Sequence, residues 1–254
     1  MKNFLTDPRS PYFNEPESPE EIRAQRKRQV ALGYRLFAAL RWSDLGDGHI
    51  TARDPVRTDC FWTLGLGVAY QLATVDDLVL VGPDGKRVEG DGIVSTAVYY
   101  IHHPILMARP DLVCAAHAHT GWGTPFSAEV RPIEPITQEA CVFFEDHAIF
   151  DDEELQILST EGGDRIAQAL GDNRAIILRN HGLLTVGQRV DQAVSTFVRM
   201  ERVCETHMKV RNAKPISREA ALLAKEDLNR IRSDIAGFWF MVGRHIGDDS
   251  VVDA

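Results

Sequence analysis

The stretch Leu112-Val113-Cys114-Ala115-Ala116-His117-Ala118-His119-Thr120 constrains this chain more than any other. Its apolar run, with a β-branched residue and no charge, reads as a buried strand closed by a His-x-His pair. Strand side chains alternate between faces, so His117 and His119 point the same way, about 7 Å apart along the chain. Two neutral imidazoles so placed can grip one divalent cation. A second stretch of the same kind, Ala175-Ile176-Ile177-Leu178-Arg179-Asn180-His181-Gly182, is an apolar strand ending in a His at a Gly-marked turn. Brought together, His117, His119 and His181 make a three-His site with open positions, the catalytic pattern rather than the closed structural one. The competing reading makes the His-x-His a coincidence and both strands mere core. The third His at a matching strand end weighs against it.

Around these strands the chain divides simply. Residues 1–17 carry Pro8, Pro11 and Pro16 without periodicity and read as an extended or disordered N-terminal arm. Residues 18–254 read as a single domain with a C-terminal helical extension, long enough for one sizeable core. Ser18-Pro19-Glu20-Glu21 starts a helix to about Arg41, with an N-cap Ser, Pro at the first helical position and Glu at the third. Strands are expected at His49–Arg53, Cys60–Leu66, Leu78–Val81, 112–117, Ala140–Phe144, 175–179 and 183–186. Helices are expected at Ser95–Met107 (kinked or shifted by Pro104), Thr160–Leu170, Val190 to about Arg211 and Ser217 to about Ile235. The aromatic cluster Phe238-Trp239-Phe240 follows. Strands and helices interleave without the strict beat of a parallel α/β fold, which predicts an α/β domain with one mixed sheet and helices on both faces.

The formal charge of −9, from 28 basic and 37 acidic residues, disfavours nucleic acid or an anionic membrane as partner. Four scattered cysteines form no Cys-x-x-Cys, the segment Met1–Pro19 has no apolar signal core, and no stretch approaches a membrane span. The expectation is a cytoplasmic protein with reduced thiols.

Several further residues are candidates. If Ser95 starts its helix, its hydroxyl and the free N–H groups of Thr96 and Ala97 form an anion site, plain N-capping being the simpler reading. His102 lies one helical turn beyond Val98 and two beyond Ser95, on the same face. Its neighbour His103 points elsewhere, so at most one of the two faces a site. His49 and Thr51 share a face of a short strand that follows a Gly turn. Gly182 is read as turn chemistry with positive φ, His147 and His207 as structural or solvated, and Asp151–Glu154 as a solvated loop.

Four segments, in order and at this spacing, resemble the class II aldolase/adducin family across nearly the whole chain, from about Ser18 to Arg211. They are Gly48-His49-Ile50-Thr51-Ala52-Arg53-Asp54-Pro55, Ala108-Arg109-Pro110-Asp111-Leu112, His117-Ala118-His119-Thr120, and Leu178-Arg179-Asn180-His181-Gly182-Leu183-Leu184-Thr185-Val186-Gly187. The resemblance implies a three-layer α/β/α sandwich with a central mixed, mainly antiparallel β-sheet. It also implies a homotetramer with active sites at subunit interfaces, and a divalent metal held by the positions matching His117, His119 and His181. Three features depart from the family's sugar-phosphate aldolases. Val98 stands where they carry a Glu that serves as metal partner and base. Gln138 stands where they carry a proton-delivering Tyr. Leu64-Gly65-Leu66-Gly67 has lost the hydroxyl of their phosphate loop.

Val98 cannot take a proton, and decarboxylation needs no base to remove one from carbon; it needs an electron sink, which a metal can supply as a Lewis acid. The sequence therefore predicts a divalent-metal carbon–carbon lyase acting on a small, non-phosphorylated, oxygenated carboxylic acid, with decarboxylation favoured over retro-aldol cleavage. One divalent ion per subunit is expected, zinc first, with manganese, cobalt or iron as alternatives. His49, Thr51, Ser95, Thr96 and Gln138 would contact substrate, and His102 would donate a proton. Competing readings are a class II aldolase acting on a sugar-like or 2-oxo acid, an Fe(II) oxygenase on the same scaffold, and a non-enzymatic adducin-like interaction module.

Overall fold

The computed structural model describes residues 16–43 and 45–253, so nearly all of the arm read at 1–17 lies outside the described residues. The first helix, α1 (Pro19–Ala39), begins as its sequence dictates. The Ser18 hydroxyl accepts from the Glu21 N–H, the Glu21 carboxylate accepts from the Ser18 N–H, and Pro19 occupies the first turn.

Eight strands form one sheet: β1 (His49–Arg53), β2 (Phe61–Leu64), β3 (Leu78–Val81), β4 (Arg87–Glu89), β5 (Cys114–Ala118), β6 (His147–Phe150), β7 (Ala175–Leu178) and β8 (Gly182–Gly187). Their order is β4-β3-β2-β1-β5-β8-β7-β6, and every neighbouring pair is antiparallel except β6 with β7. The sheet is thus mixed and mainly antiparallel, as expected.

Alternate strand residues feed two separate cores. Ile50, Ala52, Trp62, Leu80, Cys114, Ala116, Ile177 and Leu183 pack with α1, α5 (Val190–Lys209) and α7 (Ser233–His245) on one face. Phe61, Val79, Val81, Ala115, Ile176, Leu184 and Val186 pack with α2 (Thr96–Ala108) and α4 (Thr160–Leu170) on the other. The result is the three-layer α/β/α arrangement. On the second face two helices meet backbone to backbone. Pro104 lacks the N–H that would bond the Tyr100 carbonyl, and that carbonyl lies where a Cβ on Gly163 of α4 would collide with it.

Three expectations need correction. The apolar run Ala140–Phe144 is not a strand. Ala140–Phe143 forms a buried turn of 3₁₀-helix, and β6 at His147–Phe150, which the sequence did not single out, pairs with β7 instead. A short run that is apolar throughout carries no period to choose between the two forms. The helix expected from Ser217 to about Ile235 is two helices, α6 (Arg218–Arg230) and α7, broken where Arg232 takes a left-handed φ of 50°. The aromatic cluster lies inside α7, where Phe238 belongs to the core and Phe240 is 58% exposed. Among the described residues no helix is long and apolar enough to cross a membrane.

Candidate active site

The second face of the sheet carries the polar cluster. The β1–β5 register sets His49 opposite His117 and Thr51 opposite Ala115, so His49, Thr51 and His117 project toward the α2 layer. The rings of His49 and His117 lie 4.8 Å apart, centre to centre. His119 stands two residues beyond His117, just past the end of β5, and His181 on the turn joining β7 to β8. His117, His119 and His181 each offer a ring nitrogen, all within 4.8 Å of one another.

Two backbone features bring the turn to the strand. Asn180 takes the left-handed conformation, with φ of 54°. A Cβ on Gly182 would stand 3.1 Å from the Ala118 carbonyl oxygen and 3.4 Å from Cε1 of His117. Gly182 takes the positive φ expected of it, 158°, and also serves close approach, while Asn180 two residues before it adds a left-handed bend.

The three rings are oriented from behind. Nδ1 of His117 bonds the Leu183 carbonyl at 2.7 Å, which leaves Nε2 for a ligand. His181 donates to the Leu155 carbonyl. Nδ1 of His119 lies 3.4 Å from Oδ2 of Asp47. Burial, with added repulsion from neighbouring imidazoles, pushes His117 well below the ordinary range and His181 down to about 4. Both rings are neutral at physiological pH, the state a metal ligand requires. The donor set therefore fits a divalent ion: three imidazoles with converging ring nitrogens, of which His117 and His181 are held neutral.

His102 takes a different place from the one expected. It is fully buried on α2, with Nε2 2.8 Å from Nδ1 of His49 and Nδ1 2.8 Å from the Thr51 hydroxyl. A neutral ring has one N–H. Either His102 donates to His49 and accepts from Thr51, leaving the His49 proton on Nε2, or both bonds run the other way and Nε2 of His49 is bare. Burial first, then other imidazoles, holds both His49 and His102 well below the usual range.

A cavity of about 460 Å³ opens beside the cluster. His49, Ser95 and Val98 line it together with Tyr34, Trp42, Tyr70, Leu64, Leu66 and Val68, and among the described residues no Lys, Arg, Asp or Glu does. Ser95 occupies the N-cap position of α2, yet its hydroxyl makes no capping hydrogen bond. Of the expected contacts, His49 and Ser95 face the cavity. Thr51 is buried behind it, Thr96 is exposed outside it, and Gln138 is exposed on the turn before the 140–143 segment. Two carboxylates escaped the sequence reading. Asp47 sits in the turn that leads into β1. Glu201 lies on α5; it accepts from the Thr120 hydroxyl and from the N–H groups of Trp122 at 2.9 Å and Gly123 at 2.6 Å, fixing the turn that follows His119 and leads into α3 (Gly123–Ala128).

Comparison with known proteins agrees with this geometry. Residues 28–208 match the family described as Class II Aldolase and Adducin N-terminal domain. The chain is 38% identical over 235 residues to a Streptomyces roseochromogenus subsp. oscitans protein named 4-hydroxy-3-prenylphenylpyruvate oxygenase/4-hydroxy-3-prenylbenzoate synthase, covering 89% of this chain and 85% of that protein. It is 39% identical over 206 residues to Decarboxylase NovR of Streptomyces niveus, covering 79% and 76% respectively. The structure superposes on L-fuculose 1-phosphate aldolase from Glaciozyma antarctica PI12 with a TM-score of 0.81 and 31% identity, over 92% of this chain and 97% of that one. The chain belongs to the class II aldolase and adducin family.

Proposed function

We propose that this protein is a divalent-metal carbon–carbon lyase that decarboxylates a non-phosphorylated, oxygenated carboxylic acid with an apolar body, in preference to cleaving an aldol. The observation that carries the reading is the convergence of His117, His119 and His181 beside an aromatic-lined cavity that has no cationic side chain among the described residues. A phosphate dianion would enter that cavity without a counter-charge, whereas Tyr34, Trp42 and Tyr70 suit a ring or alkyl chain. The names of two relatives, a decarboxylase and a benzoate synthase, point the same way.

His117, His119 and His181 would hold the ion, zinc first, with manganese, cobalt or iron as alternatives. When bound, it supplies Lewis acidity toward a hydroxyl or oxo group beside the departing carboxylate. Ser95, with its uncommitted hydroxyl, and the first N–H groups of α2 at Thr96 and Ala97 would orient that carboxylate. His49 is the imidazole that reaches the cavity, so proton delivery moves from His102 to His49. His102 and Thr51 become positioning residues that fix the His49 tautomer. Val98 keeps the wall apolar where the aldolases place an acid, and a drier pocket disfavours the localised charge of the substrate carboxylate and so favours its departure as neutral carbon dioxide. Gln138 would reach substrate only across a subunit contact, as the family's tetrameric assembly implies. A cytoplasmic homotetramer completes the proposal.

A second reading is favoured by one relative's name, which includes an oxygenase activity. Three His ligands with open positions also suit Fe(II). Metal analysis of protein purified without added metal, followed by a carboxylic-acid panel scored for carbon dioxide release with and without oxygen, separates the two. Carbon dioxide release independent of oxygen supports the lyase. Oxygen consumption tied to iron content would replace it. A folded His181→Ala protein with full metal occupancy would refute the metal site, and with it both enzymatic readings.

A further inference from the structure

Three features fix Asp47 against the strand that carries the metal-site histidines. Gly48, its neighbour, lies so close to β5 that a Cβ there would stand 3.0 Å from the His117 carbonyl oxygen and 3.1 Å from Cβ of Ala118. The Tyr70 hydroxyl then clamps both backbone polar groups of Gly48: it donates to the Gly48 carbonyl and accepts from the Gly48 N–H at 3.3 Å. The carboxylate that this places has Oδ2 3.4 Å from Nδ1 of His119 and Oδ1 buried without a hydrogen-bond partner. His117 and His181 have backbone carbonyls behind them, and His119 has only this side chain in that role.

We infer that Asp47 is a positioning residue for the metal site: it accepts the Nδ1 hydrogen of His119, fixes that ring as the Nδ1–H tautomer, and so presents Nε2 to the ion. A carboxylate behind a ligating imidazole both selects the tautomer and raises the basicity of the far nitrogen. The free imidazole ring has no such constraint, and a wrong tautomer would point a hydrogen at the cation. The short stretch from Gly46 to Gly48 thus serves more than a turn, because its closeness to β5 delivers the carboxylate. This inference rests on the metal reading of the three histidines, but its first test needs no metal.

That test uses chelated, metal-free full-length protein labelled with ¹⁵N-histidine. Two-bond ¹H–¹⁵N correlation spectra should show His119 as Nδ1–H in the wild type and in Asp47→Asn, whose side-chain oxygen can still accept. Asp47→Ala should shift the ring toward Nε2–H. Zinc affinity, measured by competition with a chelator, should fall about 10–100-fold in Asp47→Ala and by clearly less in Asp47→Asn. The inference is overturned if wild-type His119 is Nε2–H, if folded Asp47→Ala binds zinc as the wild type does, or if Asp47→Asn weakens binding as much as Asp47→Ala. Should Asp47→Ala fail to fold, the wild-type tautomer and the Asp47→Asn affinity decide. A wild type that binds no zinc but keeps the Nδ1–H ring would defeat the metal reading alone.

Discussion

Lowering the pH from about 7.5 to about 5.5 loads protons onto the unfolded chain that the folded chain refuses. His49, His102 and His117 are each held well below their ordinary range, chiefly by burial. In the unfolded chain each titrates near 6.5. Below that value the unfolded state binds more protons than the native one, so these rings contribute stability above about pH 6.5 that is lost as the pH falls. A ring that stays neutral one pH unit below the unfolded value loses about 1 kcal/mol, so the three together should remove a few kcal/mol by pH 5.5. Asp54 does not confuse this window. Burial would raise its carboxyl, but hydrogen bonds from Arg23, Trp62 and two backbone amides hold it below the ordinary range. Its contribution is lost only as the pH drops under about 4.

The assay is urea unfolding followed by circular dichroism, with chelator present and protein concentration fixed. His102→Phe removes one of the three rings. It should cost about 2–4 kcal/mol at pH 7.5, because Nδ1 of His49 and the Thr51 hydroxyl lose their partner. It should also reduce the loss between pH 7.5 and 5.5, by about 1 kcal/mol. Equal pH slopes in the two proteins would refute the claim that His102 is buried and neutral.

Val98 is 1% exposed and lines the cavity, so Val98→Glu should cost a few kcal/mol in thermal stability, fill an open metal position and lower carbon dioxide release. A folded, metal-loaded Val98→Glu protein with unchanged decarboxylation would show that Val98 is not beside the metal. Glu201→Ala strands the N–H groups of Trp122 and Gly123 and should lower stability by about 2–4 kcal/mol and weaken metal binding next to His119; an unchanged unfolding midpoint would contradict this. Sedimentation should find an oligomer that Phe240→Ser weakens, since this exposed ring extends from a core helix; a monomer at micromolar concentration would disprove it.

The sheet and its cluster of three histidines were legible because alternation is a local signal. His117 and His119 share a strand face by period two, and the apolar runs leading to His117 and His181 marked two strands that frame one edge of the site. The helix starting at Ser95 was legible from spacing, but the partners of His102 were not. Its contacts to His49 and Thr51 span 53 and 51 residues, and nothing local distinguishes a buried relay from a pocket-facing ring. Asp47 and Glu201 were missed for the same reason, since each meets His119 or its turn across many residues of chain. Ala140–Phe144 failed differently: an unbroken apolar run says buried but not in which form.

The contact between Gly163 and the Tyr100 carbonyl turns α2 into an indexed part. Side-chain packing tolerates sliding by fractions of a turn, but two main chains in van der Waals contact have one seat. That seat fixes the height at which Val98 and His102 meet the sheet, from a point on α4 remote from the cavity. A library that diversifies cavity residues can therefore be read at face value only while Gly163 is held constant. A bulkier residue there would shift every α2 position at once, and its effects would masquerade as altered substrate preference.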